Sequence, residues 1–227
     1  MLPITDITTF SFQEYPEHTS CIIWFGGCNF RCPYCHNPEF IEPGFSIMDE
    51  AKVFEFLESR SGLLDGVVLS GGECTLSNDL YDFILKIKKM GFKIKIDTNG
   101  TNFELMERLI NENLLDYIAL DYKACEDKFY SIAKNDNFDA FSKTLDLAIK
   151  SGLPMEIRTT VHTDLLNEDD VNKIIDDLGK RKYGGKFFIQ NYRDLKGRTL
   201  GNIVEQKRIL DRSKIKNYGI MVEFRNF

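Results

Sequence analysis

Long hydrophobic runs are missing. No stretch approaches 18 uninterrupted apolar residues, so no membrane-spanning helix is expected. The opening MLPITDITTF has neither a basic stretch nor an apolar core of the secretory type, so no signal peptide is expected and the location expected is cytoplasmic. Proline is scarce, at 6 residues, and no Pro/Ser-rich linker or low-complexity tract divides the chain, which reads as one domain over 1–227. Cysteines number only 6, and without a secretory signal they read as reduced thiols or metal ligands rather than a disulfide framework. What is present is ordinary for a globular protein: 227 residues, 43% hydrophobic and 28% charged, with 18 Phe and 9 Tyr. That aromatic content excludes a solvated coil, and the length suffices to bury a core without disulfides.

Positive charge is also scarce through most of the chain. Residues 1–179 hold 16 Lys and Arg against 31 Asp and Glu, a net of −15, whereas 180–227 hold 13 against 4, a net of +9. Such asymmetry is either a set of solvated faces or a partner surface. On the second reading the docking residues are Lys180, Arg181, Lys182, Arg193, Lys196 and Arg198. Nucleic acid is an alternative user of the same patch.

Short β-rich runs alternate with longer amphipathic stretches. The strand runs are 21–25, 66–70, 93–97, 117–121, 156–161 and 187–190, with another near 219–224. Helices are expected near 47–60, 77–90, 102–113, 136–151, 167–181 and 202–213. Ser77 or Asn78 is the expected N-cap of the second, and Gly91, Gly152 and Gly179 fall at or beyond helix ends. The alternation predicts an α/β fold with a parallel sheet and outer helices. Six units are too few for an eight-fold barrel and suit a partial (β/α)6 barrel or an open sheet.

After the first of these strands and Gly26-Gly27 comes Cys28-Asn-Phe-Arg-Cys32-Pro-Tyr-Cys35, a CxxxCxxC spacing within a loop over 26–38. Three thiolates this close can wrap one metal centre, and cysteine is the usual ligand of iron–sulfur clusters. In a 4Fe–4S cluster one iron is then left open to a small molecule. Zinc held by the three cysteines and His36 is the competing set, made awkward because His36 follows Cys35 directly.

The segment TFSFQEYPEHTSCIIWFGGCNFRCPYCHNP, Thr9 to Pro38, resembles the cluster loop of the radical S-adenosylmethionine (SAM) superfamily. Within it the flanks are similar to glycyl-radical-enzyme activases, above all those of anaerobic ribonucleoside-triphosphate reductase. The resemblance runs from about residue 5 to about residue 195. It implies a 4Fe–4S cluster on Cys28, Cys32 and Cys35 and reductive cleavage of SAM. The partners it implies are a glycyl-radical enzyme and a one-electron donor such as flavodoxin or ferredoxin. Pyruvate formate-lyase is the alternative partner. A small-molecule enzyme like carboxydeazaguanine synthase is the alternative class.

In parallel α/β barrels the reactive groups stand at the C-terminal strand ends. Those ends here carry Ser70-Gly71-Gly72-Glu73, Asp97-Thr98-Asn99-Gly100, Asp121-Tyr122-Lys123 and Arg158-Thr159-Thr160. Glu73 and the Gly71 and Gly72 backbone suit the amine of SAM, the glycines letting a ligand approach closely. Lys123 and Arg158 suit its carboxylate, and Tyr34 offers an aromatic platform for adenine. The resemblance implies the same roles for GGE and for Asp-x-Lys. It further implies a monovalent cation held by Asp97, Thr98 and Asp121, and adenine contacts from Gln190 and Asn191. One departure is Cys74, where the family has proline after GGE. It reads as a packed thiol, with a misplaced cluster ligand as the alternative. Cys21 reads as core and Cys125 as a buried or loop thiol. His18 reads as structural, as does His162, for which a site-facing ring is the alternative.

Overall fold

The computed structural model describes residues 1–41, 44–194, 199–201 and 203–227. It is an α/β fold whose sheet is dominated by parallel pairs, with the helices outside it. The strands are β1 (Ile4–Ser11), β2 (Ser20–Phe25), β3 (Gly66–Gly71), β4 (Lys93–Thr98), β5 (Tyr117–Asp121), β6 (Met155–Val161), β7 (Lys186–Asn191) and β8 (Met221–Arg225). The helices are α1 (Glu50–Ser59), α2 (Leu80–Lys89), α3 (Phe103–Asn111), α4 (Glu126–Ala133), α5 (Phe138–Ser151) and α6 (Glu168–Lys180). Contacts group the chain into two compact units: 1–29, 39–98 and 102–118 form the first, and 30–38, 99–101 and 119–227 form the second.

In the first unit the strand order is β1-β2-β3-β4. β2, β3 and β4 pair in parallel, and β1 is an antiparallel edge strand on β2. The apolar runs CIIWF and GVVLS predict β2 and β3, because strands covered on both faces are apolar throughout, and the alternation of KIKID predicts β4. β1 escaped notice since its Thr-rich ITDITTFS alternates only weakly, as expected of a half-exposed edge. α2 turns Leu80, Phe83, Ile84 and Ile87 inward, each burial giving about 1.5–3 kcal/mol. Its N-cap is Asp79 rather than Ser77 or Asn78, and that side chain makes no capping bond. A chain turn made by Leu80 N–H donating to the Ser77 carbonyl moves the start downstream.

In the second unit β5, β6, β7 and β8 follow in order, β6 to β8 pairing in parallel. α4 was not expected, being only 8 residues long and having Cys125 as an N-cap that gives no side-chain bond. α6 starts with a capping box, Asn167 and Asp170 bonding each other's backbone N–H. Gly179 lies inside its last turn, not beyond its end. The helix expected near 202–213 is absent. Residues 203–211 are irregular, followed by one 3-10 turn at Arg212–Lys214. Tertiary bonds hold that segment in its irregular path. Arg208 forks onto both Glu168 oxygens, Gln206 donates to Asn191, and the Arg208 carbonyl accepts from Thr163. Such partners outweigh a weak helix propensity.

Candidate active site

Two strand ends of the first unit are fused backbone to backbone. The Gly72 N–H donates to the Phe25 carbonyl at 2.8 Å, and the Glu73 N–H to the Gly27 carbonyl at 2.8 Å. A Cβ on Gly72 would stand 2.0 Å from the Gly27 oxygen, and one on Gly71 would stand 2.4 Å from the Phe25 oxygen. Gly71 also has φ +122°, a region that favours glycine. The glycines therefore serve first the meeting of the β2 and β3 loops. The same contact places the chain just before Cys28.

Glu73 is buried and caps the 3-10 turn Cys74–Leu76. Its Oε1 accepts from the Thr75 N–H at 3.2 Å, the Thr75 hydroxyl at 2.5 Å and the Thr98 hydroxyl at 2.8 Å. The carboxylate is thus oriented before any ligand arrives. Cys74 is 1% exposed, its sulfur facing the Leu69 and Asp97 carbonyls, and burial pushes its thiol well up. It is a core thiol, as is Cys21 on β2. Asp97 is held by Lys95 Nζ at 2.5 Å and by the Ser70 hydroxyl at 3.0 Å. Lys95 was not singled out from the sequence. Its place in KIKID reads as the polar side of an alternating strand, yet its side chain is 2% exposed.

In the second unit the cluster loop continues through Cys32, Tyr34 and Cys35. It leans on α4: the Arg31 N–H donates to the Ala133 carbonyl at 2.9 Å, and the Phe30 ring stands edge-on to Phe129. Cys32 is buried, which pushes its thiol up to about 11 while Lys123 pulls it down. Tyr34 is buried too, its hydroxyl without a partner, so it is not an open aromatic platform. His36 Nε2 stands 3.0 Å from the Arg193 carbonyl, a partner that only a ring N–H suits. That nitrogen is thereby taken from the zinc set. None of the six cysteines is in a disulfide. Among the described residues no three His, Cys, Asp or Glu side chains are gathered as a metal-ion site.

The charged strand ends of this unit form an alternating ladder. Asp121 receives Lys123 Nζ at 3.0 Å and Arg158 Nε at 2.9 Å. Arg158 Nη1 continues to Glu156 at 3.8 Å, and Glu156 accepts from Arg225 Nη2 at 3.2 Å. The Arg225 guanidinium lies 3.4 Å from the Phe188 ring centroid. Burial would raise the Asp121 carboxyl, but Arg158 and then Lys123 overcome it and hold it at about 2. Arg225 had no signal in the sequence. Gln190 accepts from Thr160 at 3.4 Å, while Asn191 is buried and accepts from Gln206. His162 is buried edge-on to Tyr192, its Nε2 on the Val204 carbonyl, and is structural. Cys125 is the N-cap of α4, its thiol pushed up to about 11 by burial.

The profile of the Radical SAM superfamily matches residues 22–178. The chain belongs to that superfamily. It is 35% identical over 180 residues to a Methanocaldococcus jannaschii protein named as a glycyl-radical enzyme activating enzyme, covering 75% of this chain and 73% of that one. It is 30% identical over 148 residues to the pyruvate formate-lyase-activating enzyme of Clostridium pasteurianum, covering 62% and 60%. Among solved structures, Streptococcus suis SuiB bound to SAM superposes with a TM-score of 0.63 at 17% identity, over 81% of this chain and 44% of that one. The last likeness concerns the fold alone.

Radical SAM membership makes this chain an enzyme of oxidoreductase type and implies a 4Fe–4S cluster and SAM as cofactors. The residues fit both. The cysteine loop offers three closely spaced thiols, and Glu73 is a pre-oriented acceptor for an ammonium. Among the described residues no helix is long and apolar enough to cross a membrane. The basic segment is less available than its net charge suggests. Arg181 bonds Asp177 and Asp146, and Lys180 pairs with Asp176. Lys182 and Arg193 are exposed. Lys196 and Arg198 lie outside the described residues.

Proposed function

We propose that this radical SAM enzyme activates a glycyl-radical partner, with anaerobic ribonucleoside-triphosphate reductase as the first choice and pyruvate formate-lyase as the second. The observation that carries the reading is the CxxxCxxC loop leaving β2 where Gly72 and Glu73 grip the Phe25 and Gly27 carbonyls. When bound, a reduced cluster supplies one electron to the SAM sulfonium, releasing methionine and a 5′-deoxyadenosyl radical that takes a hydrogen atom from the partner's glycine.

The chain's own residues bind, orient and exclude water. Cys28, Cys32 and Cys35 would hold the cluster. Glu73 receives the SAM ammonium through a carboxylate that Thr75 and Thr98 keep turned. The Gly71 and Gly72 backbone lines the same subsite. Lys123 and Arg158 face the SAM carboxylate as a cationic pair set by Asp121, while Gln190 and Asn191 lie toward adenine. Tyr34 closes the cluster loop against water rather than stacking openly. The reductant is a one-electron donor of the flavodoxin or ferredoxin class, and the exposed Lys182 and Arg193 belong to the docking surface. Cytoplasmic location and one functional domain over 1–227 complete the reading. The monovalent cation that the resemblance implies is not part of it.

Anaerobic reconstitution tests the core of the proposal. The protein should bind about four irons, and Cys28→Ala, Cys32→Ala or Cys35→Ala should abolish this. With dithionite and SAM it should yield 5′-deoxyadenosine. Mixed with each large subunit in turn, it should produce a glycyl-radical doublet by electron paramagnetic resonance on the reductase. A doublet only on the lyase would reassign the partner. One equivalent of zinc in place of iron would sink the whole reading.

A further inference from the structure

The Lys95–Asp97 pair has no part in the roles above. Lysine is almost never fully buried unless paired. Here its Nζ stands on Asp97 Oδ1, and the Ser70 hydroxyl serves Oδ2 at 3.0 Å. The Tyr117 ring centroid lies 5.9 Å from the same ammonium. Both Asp97 oxygens thus already face donors. Thr98, the second residue that the resemblance implies for a monovalent cation, gives its hydroxyl hydrogen to Glu73. Asp121, the third, is served by Lys123 and Arg158. An alkali ion needs lone pairs, and on Asp97 it would meet a fixed positive charge in a poorly screened place. The residues present do not fit that ion.

We propose that Lys95 is the permanent replacement for a monovalent cation in this enzyme. Its ammonium neutralises Asp97, so that the end of β4 does not repel an approaching SAM carboxylate. The charge an exchangeable ion would carry is built into the strand two residues earlier. This inference rests on the SAM-binding reading, and its consequence is specific: SAM affinity does not respond to the kind of alkali ion in solution.

The test uses reconstituted protein and equilibrium dialysis with labelled SAM, in potassium, sodium or tetramethylammonium chloride at equal ionic strength. The parent should bind SAM equally in all three. Lys95→Met should bind about tenfold more weakly in tetramethylammonium, as expected when a charge-assisted contact is lost, and potassium or sodium should restore much of the difference. A merely structural ion pair would give no such rescue. A second readout needs no cofactor. Sodium-23 line broadening on the unloaded protein should be absent for the parent and saturable for Lys95→Met. Parent binding that rises severalfold with potassium, or saturable sodium binding by the parent, would overturn the proposal. So would a folded Lys95→Met that ignores alkali ions. If that variant fails to fold, Lys95→Gln takes its place, and the parent's salt comparison still decides. Failure of the parent to bind SAM in any salt would count against the proposed function, and the sodium measurement would then judge Lys95 alone.

Discussion

In the first unit Gly72 comes so near the Gly27 carbonyl that a Cβ would stand 2.0 Å from it, whereas in the second unit Asp121 is held by two cations at 2.9 and 3.0 Å. The two arrangements position strand-end residues by different physics. Backbone contact between the β2 and β3 loops is short-ranged and steric, so salt and pH barely touch it. The ladder from Lys123 through Asp121, Arg158 and Glu156 to Arg225 is electrostatic, and its partly exposed members remain open to screening. The chain just before Cys28 and the part proposed to meet the SAM amine rest on the rigid kind. The parts proposed to meet the SAM carboxylate rest on the adjustable kind.

Gly72→Ala should break the comparison hardest. The clash is with backbone, which cannot swing aside, so a loss of about 3 kcal/mol or more is expected in denaturant unfolding. That deficit should be unchanged by added salt. A near-neutral result would mean that the two loops can part.

Arg158→Met should act next. It leaves Asp121 with Lys123 alone and Glu156 with Arg225 alone, a loss of about 2 kcal/mol after allowing for partial exposure. Unlike the glycine deficit, it should shrink at about 1 M salt, where the screening length falls to about 3 Å. Equal salt responses in the two variants would erase the distinction drawn here.

The smallest effect belongs to Glu168→Gln, which sharpens the electrostatic side. Hydrogen bonding to Arg208, against the opposing pull of burial, holds the Glu168 carboxyl at about 2, below its ordinary 4.5. A depressed carboxyl contributes stability that is complete above its ordinary value and lost as pH falls through the folded one. The variant should cost about 1 kcal/mol at neutral pH and flatten the acid side of the stability curve between about 4.5 and 2. A parent curve already flat there would remove Arg208 as an anchor of residues 203–211.

Much of the site could be read from the chain alone, and the rest for stated reasons could not. CxxxCxxC is a local spacing, and a loop of eight residues can bring its thiols to one centre whatever surrounds it. The runs CIIWF and GVVLS also declare themselves, because a strand covered on both faces is apolar along its length, and KIKID does so by its alternation. Gly71-Gly72 was visible as a feature, but its contact with the β2 loop was not, since the carbonyls that Gly72 and Glu73 bond lie 47 and 46 residues earlier in the chain. The expected helix over 202–213 failed for a related reason. Glu168 and Asn191 claimed the Arg208 and Gln206 side chains, and Thr163 claimed the Arg208 backbone carbonyl that a helix would have used.

The sequence by itself determined the chemistry on offer: three thiols in one loop, a carboxylate after two glycines, and acids and bases at the ends of successive strands. Spacing along a chain suffices for that, because neighbours in sequence cannot be far apart in space. Only the tertiary structure decided which charges meet. Ser70 reaches Asp97 across 27 residues, Arg158 reaches Asp121 across 37, and Arg225 reaches Glu156 across 69. Packing brings these partners together, and desolvation makes each such meeting matter, turning Lys95 from the polar side of a strand into a buried cation with one carboxylate to hold.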